Sequence, residues 1–166
     1  QTTVAQAVTK YTPVPTFLAA TGLTDADLLR LLSLPYANPA GALAIHHLDD
    51  SCDLEQKQIA TLNATHLDRL HRFLRLTRAL GTSAADADLL VRRFGAGASL
   101  ATPDDLVAIA DAMRVRTLLS DPEVEELVAL FGAIPTEDRF DAPHEPLLPS
   151  LYRRLFLDPL VHLAYV

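Results

Sequence analysis

The sequence predicts an all-α protein: a multi-helix bundle or shell-type array of helices with short corners and one irregular loop or hairpin near residues 38–53. Leu and Ala dominate a chain of 166 residues in which aromatic residues make up only 6% and Trp is absent. Such a composition suits helices, because β-branched and aromatic side chains are the usual strand formers. Cap residues followed by acids stand repeatedly ahead of apolar runs, as in "TGLTDADLL", "LGTSAADADLL" and "TPDDL". Carboxylates in a first turn offset the positive end of the helix dipole, so this pattern marks helix starts. Within the runs, apolar residues return at three- and four-residue spacing, the period of one helix face.

Taken in order, Pro13 and Pro15 open a short helix through Phe17 and Leu18, which Gly22 stops. Thr24 caps a second helix, with Asp25 and Asp27 in its first turn, Leu28, Leu31 and Leu32 on one face, and Pro35 at its end. From Asn38 to Asp53 the helical period is lost. Asn38, Pro39 and Gly41 make a turn, and Ala42 to Leu48 reads as a short extended piece, so a loop or small hairpin arm is expected. The strongest element runs from Thr65 to Leu80, with Thr65 and Asp68 resembling a capping box and Gly81 just past its end. At about 100° per residue, Leu67, Leu70, Phe73, Leu74, Thr77 and Leu80 fall on one face. Asp68, His71, Arg72, Arg75 and Arg78 fall on the other. Ser83 caps the following helix, which carries Leu89, Leu90, Val91 and Phe94.

After Gly95-Ala96-Gly97, a flexible link, Thr102-Pro103-Asp104-Asp105 starts a helix through Leu106, Ile109, Met113 and Leu118. Asp121-Pro122-Glu123 repeats that signal for a helix through Leu127, Leu130 and Phe131, closed by Gly132. The proline-rich stretch from Pro135 to Pro149 reads as a surface loop. Pro149-Ser150 opens a last helix with Leu151, Leu155 and Phe156 on its buried side, stopped by Pro159. Six or seven helices emerge, forming a single helical domain or subdomain over residues 1–166.

Charge and chemistry exclude several classes of function. A net charge of −7 leaves no basic face for a nucleic acid. Apolar runs such as Leu155-Phe156-Leu157 fall far short of the roughly 18 residues a membrane span needs. Cys52 is alone, so no internal disulfide forms. Gln1 opens a polar stretch with neither an initiator Met nor a signal-peptide pattern, so the chain reads as a fragment of a much longer protein.

The densest potential ligand cluster is His46, His47, Asp49, Asp50, Cys52 and Asp53. All are zinc-ligand types, but the spacing matches no zinc template. Adjacent histidines in an extended segment also point to opposite faces. Solvated loop polar groups are the expectation, with no metal and no cofactor. Arg69, Arg72, Arg75 and Arg78 recur every third residue, which winds them around a helix instead of lining one groove. Salt bridges between helices, with acids such as Asp68, Asp86 and Asp88, are expected for them. Ser33, Ser83, Ser99, Ser120 and Ser150 sit at caps or turns outside any nucleophile elbow, and Gly95-Ala96-Gly97 lacks the Lys of a phosphate loop. No catalytic residue is assigned, and the chain is not expected to be an enzyme.

"LDRLHRFLRLTRALGTSAADADLL" (67–90) resembles the Arg-Phe-Ile-Arg-Leu-Trp-Arg-x-Leu-Gly segment of Tc toxin complex A subunits. Three further pieces agree in order: "FLAATGLTDADLLRLLSLPYANP" (17–39), "DDSCDLEQKQIATL" (49–62) and "PSLYRRLFLDP" (149–159). The last is similar to the family's Ser-Leu-Tyr-x-x-Leu-Phe-Leu-Asn-Pro signature. Thr77 stands where Trp is usual and Asp158 where Asn is usual, so packing there departs from the family pattern. The resemblance implies a segment of the α-helical shell that encloses the translocation channel of a secreted, pore-forming insecticidal toxin. Its partners would then be the rest of the A subunit, the pentameric homo-oligomer, and the B and C components that carry a toxic enzyme. The competing expectation is a stand-alone helical protein-interaction module. A small metal-dependent enzyme built on residues 46–53 is a third reading.

Overall fold

A computed structural model describes residues 3–51, 53–95, 100, 102–139 and 148–157. Helix dominates, but the fold is not strictly all-α, because a two-stranded antiparallel sheet stands among the helices. The chain forms two compact units, residues 1–79 and 80–166.

In the first unit, helix α1 (Val4–Tyr11) precedes α2 (Val14–Thr21) and α3 (Asp25–Ser33). From the sequence no element is assigned before Pro13, so α1 is an addition. A capping box makes it: Gln6 N–H donates to Thr3 Oγ1 (3.3 Å), and Thr3 N–H donates to Gln6 Oε1 (2.8 Å). Gly22 ends α2 at φ +70°, and Thr24 caps α3 reciprocally with Asp27, both as the sequence reads. The Thr24 hydroxyl and backbone N–H both donate to the Asp27 carboxylate, which holds its pKa below the usual Asp value.

After Pro35 the chain turns on Asn38, which is 7% exposed. Its amide nitrogen donates to the carbonyls of Leu32 and Leu43 (both 2.8 Å), and its Oδ1 accepts from Leu43 N–H at 2.7 Å. Burial of that amide is thereby offset by a nearly full set of partners. Strand β1 (Ala44–His47) then pairs antiparallel with β2 (Lys57–Ala60) in the register Ala44↔Ala60 to His47↔Lys57. The hairpin therefore extends beyond residues 38–53, since its second strand is Lys57–Ala60. Ile59, 1% exposed, is its one fully buried side chain, and Ile59 N–H donates to the Thr12 carbonyl at 2.9 Å.

Helix α4 (Ala64–Leu80) starts one residue before Thr65. Its cap is Asn63, whose Oδ1 accepts from His66 N–H at 3.0 Å, while Asp68 pairs with Arg72 one turn on (2.9 Å). Asn outranks Thr as a cap, and moving the cap two residues earlier, from Thr65 to Asn63, leaves the apolar face unchanged. That face is as the period gives it. Leu70, Phe73 and Leu74 are buried, Leu67, Thr77 and Leu80 are half-buried, and Asp68, His71, Arg72, Arg75 and Arg78 are exposed. Phe73, with no exposed surface, meets the Tyr36 ring at 5.4 Å between centroids.

In the second unit, α5 (Ala84–Phe94) packs against α6 (Pro103–Leu118) and α7 (Val124–Leu130). The core here is Ala87, Leu89, Leu90, Val91, Leu100, Ile109, Ala112, Val124, Leu127, Val128 and Leu151. Ser83 caps α5 as expected, accepting from Asp86 N–H at 3.1 Å. Thr102 precedes α6, with its N–H donating to Asp105 at 2.8 Å. The start of α7 differs from the expectation. Ser120 and Asp121 both take positive φ (69° and 55°), which carries Pro122 outside the helix and leaves Glu123 as the cap. Gly132 closes α7 without a left-handed φ. Its lack of a Cβ makes room for the Arg93 guanidinium, which an added carbon would meet at 1.5 Å.

Helix α8 (Leu151–Phe156) corrects another expectation. Leu151 is buried, but Leu155 and Phe156 are each 50% exposed. In a helix of six residues only the first turn reaches the core, and Phe156 stacks instead on Tyr152, itself 41% exposed, at 5.1 Å. Residues 96–99, 140–147 and 158–166 lie outside the described residues, so the Gly95–Gly97 link, most of the proline-rich loop and the Pro159 stop carry no structural statement.

Gly81 follows α4 at φ +64°, with open space where a Cβ would stand. Gly81→Ala should therefore cost about 1 kcal/mol through the backbone alone. A thermal midpoint that is unchanged or raised would show that the corner tolerates a side chain. Phe73→Ala should cost about 3–5 kcal/mol, whereas Phe156→Ala should cost about 1 kcal/mol or less, because half of its surface is already in water. Equal denaturant midpoints for the two variants would overturn that ranking.

Candidate functional site

The residues that the sequence singles out do not converge. His46 and His47 are exposed and successive on β1, paired in register with Gln58 and Lys57. Asp49 accepts from the Ser51 hydroxyl (2.6 Å) and backbone N–H (3.0 Å), bonds that hold its carboxyl below the usual range. Cys52 lies outside the described residues, among which no three metal-ligating side chains gather.

The arginine series is local. Arg72 pairs with Asp68 within α4, Arg78 donates to the Thr21 carbonyl, and Arg75 is exposed. Asp86 and Asp88, expected as partners of that series, pair with Arg139 and Arg92 instead. The first of these joins α5 to the residue bridged with Leu148 and the second lies within α5, so neither is the bridge between helices expected of the series. Ser33 Oγ donates to the Arg30 carbonyl, Ser83 and Ser150 are caps, and Ser99 is outside the described residues.

The densest polar cluster stands elsewhere, in the second unit. Glu125, in the first turn of α7, is 1% exposed. Its Oε2 accepts from Arg139 (3.1 Å) and from Arg154 of α8. Arg139 also reaches Asp86 of α5 (2.8 Å), and Arg154 reaches Glu123 (3.2 Å). A cavity of about 290 Å³ lies among Asp86, Arg116, Glu123, Glu125, Arg139 and Arg154. Arg116 Nε donates to the Pro122 carbonyl at 2.7 Å, fixing the α6–α7 turn.

A second set of pairs ties the same stretch of chain. Arg92 bridges Asp88 (2.7 Å) and Glu137 (3.0 Å), while Asp138 accepts from Arg153 and from Ser150 N–H (2.9 Å). The Ser150 amide first, and then the Arg153 guanidinium, hold the Asp138 carboxyl below its usual pKa. Arg139 and Leu148 exchange backbone hydrogen bonds at 2.9 and 2.7 Å.

Chemically, this is a network of matched charges. Three acids and two arginines around Glu125 are spent on each other, which crosslinks α5, α7, α8 and the residues before α8. Among the described residues Glu125 Oε1 has no hydrogen-bond partner, and an internal water in the adjoining cavity can satisfy it. Sequence reasoning missed the cluster because Glu125 sits in a first turn, where the helix dipole already accounts for an acid. Its partners lie 14 and 29 residues away, at Arg139 and Arg154, and no local spacing signals such a pair.

If Glu125 is held by these two arginines, the Arg139→Met/Arg154→Met double variant strands a buried carboxylate, a loss of about 3–5 kcal/mol. Replacing all three, with Glu125→Leu added, should recover much of that, because an apolar set of similar volume avoids the desolvation. Urea midpoints check both; equal stability of the double variant and the parent would show the network contributes nothing.

No family model matches this chain, and no curated protein or solved structure matches it either.

Proposed function

We propose that this chain is a non-catalytic helical scaffold, a segment of the shell of a Tc toxin A-type subunit that helps enclose the channel of a secreted translocation assembly. The observation that carries the reading is the ordered agreement of four sequence stretches, 17–39, 49–62, 67–90 and 149–159, with that family's pattern. Order over most of the chain is more specific than any of the short motifs. The use of charge supports the reading from another side, since the acids around Glu125 bind arginines of the same chain. In this role the segment works by shape: its helices form wall, and its partners are the remainder of the subunit and further copies of it.

A second reading, a helical module that holds a partner protein, is favoured by the apolar surface left open on α6, where Leu106, Val107 and Leu118 are 48%, 57% and 83% exposed. The two readings differ in what the full-length protein does. Purified from its source, the complete chain carrying this segment should assemble into rings visible by electron microscopy and conduct ions across planar lipid bilayers. A full-length protein that stays monomeric and leaves bilayers sealed would overturn the shell assignment and favour the module.

A further inference from the structure

The second unit is held together in two different ways. Its helical part is apolar, with Leu90, Val91, Ile109, Val124, Leu127 and Val128 buried where α5, α6 and α7 pack. Residues 135–139 and 148–157 are attached otherwise. Among their described side chains Leu151 is the one buried hydrophobic, while Tyr152, Leu155, Phe156 and Leu157 are exposed.

These two stretches form a piece of their own. Arg139 and Leu148 exchange backbone hydrogen bonds, Tyr152 N–H donates to the Pro135 carbonyl (3.1 Å), and Ser150 N–H donates to Asp138 (2.9 Å). Among the described residues, their backbone hydrogen bonds stay within them, and α8 lies close along none of α5, α6 and α7. What joins the piece to the helices is Leu151 and a set of ion pairs: Arg139 with Asp86 and Glu125, Arg154 with Glu123 and Glu125, and Glu137 with Arg92. The outer pairs are open to solvent, since the Glu123 and Glu137 side chains are each 62% exposed, whereas that of Glu125 is 1% exposed.

We propose that this piece is an ionic strap, which undocks from α5 and α7 as a unit while the helices stay packed, and that ionic strength sets how often it does so. Undocking returns Glu125 and two guanidiniums to water, which offsets much of the lost pairing, because taking such charges out of water is costly. Dissolved salt screens the solvent-exposed pairs first, whereas the apolar packing of the helices has no charge to screen. A segment with few buried apolar contacts opens at far lower free energy than the whole unit unfolds. Open, the strap uncovers an acidic surface of Asp86, Glu123 and Glu125. The proposal does not rest on the shell reading.

Carboxyl footprinting of the 166-residue chain, with a water-soluble carbodiimide and an amine read by mass spectrometry, tests it. Glu125 is out of reach while the strap is closed, and the exposed Glu55 serves as the internal reference. Labelling of Glu125 relative to Glu55 should rise at least about threefold as NaCl goes from about 0.05 to about 1 M, over which the screening length shrinks to a few ångströms. The far-UV circular dichroism spectrum should stay the same over that range. Glu137→Gln removes one outer pair at a side chain that is 62% exposed, so it should raise Glu125 labelling at low salt and leave the spectrum intact. Glu125 labelling that ignores salt, or that appears only in step with loss of the helical signal in urea, would overturn the proposal.

Discussion

A carboxylate taken out of water must be met by positive charge, or it forces the structure around it open. In the second unit that requirement falls on Glu125, and it ties together the described residues after α7. The stretch from 133 to 157 has few apolar anchors; among its described residues Leu151 is the one buried hydrophobic side chain. What places the rest is Arg139 and Arg154 converging on one buried oxygen, with Asp86 and Glu123 taking their remaining donors. Arg139 then fixes its antiparallel bridge to Leu148, and Arg154 fixes α8 one turn beyond its cap. The energy of any one pair is modest, but their directions are specific, and specificity is what a segment short of core residues needs.

The first unit solves a similar problem with a neutral group. The turn after Pro35 has little secondary structure, and the buried Asn38 side chain stands in for it by bonding three backbone groups of Leu32 and Leu43. An amide both donates and accepts, so it can close a turn without a counter-ion. Phe73 on α4 then supplies the large buried surface that the turn brings Tyr36 against. A polar residue sets the path, and an aromatic one makes that path worth holding.

These two cases explain what was legible in the sequence. Three helix starts were, where the signal is a local hydrogen bond at a cap: Thr24 with Asp27, Ser83 with Asp86, Thr102 with Asp105. The buried face of α4 was as well, because its period is long enough to outweigh a two-residue error in its cap. Strand β2 was not, since its four residues bury a single Ile59 and gain their identity from pairing with β1. Helix α1 was not assigned: it is eight residues long and buries no side chain fully, although Thr3 and Gln6 carry a capping box and its apolar residues share one face. Phe156 was misplaced for the opposite reason. Its spacing from Leu151 suggests a shared face, but period says which side faces inward only where a helix is long enough to lie along a core. The Glu125 cluster was invisible, because long-range charge pairing leaves no trace in spacing.

Helix α6 shows where these limits become informative. Its apolar residues lack a single stripe, which on sequence alone looks like weak amphipathicity. The structure separates them into two stripes of different standing, one with Ile109 and Ala112 inside the unit and one with Leu106, Val107 and Leu118 in solvent. Around Glu125 the charges are consumed inside the chain, whereas on α6 the apolar surface is left outside it. Catalytic surfaces tend toward the reverse arrangement, with charged groups held ready in a cleft and apolar ones buried behind them. That asymmetry is a physical argument in support of the proposed scaffold role.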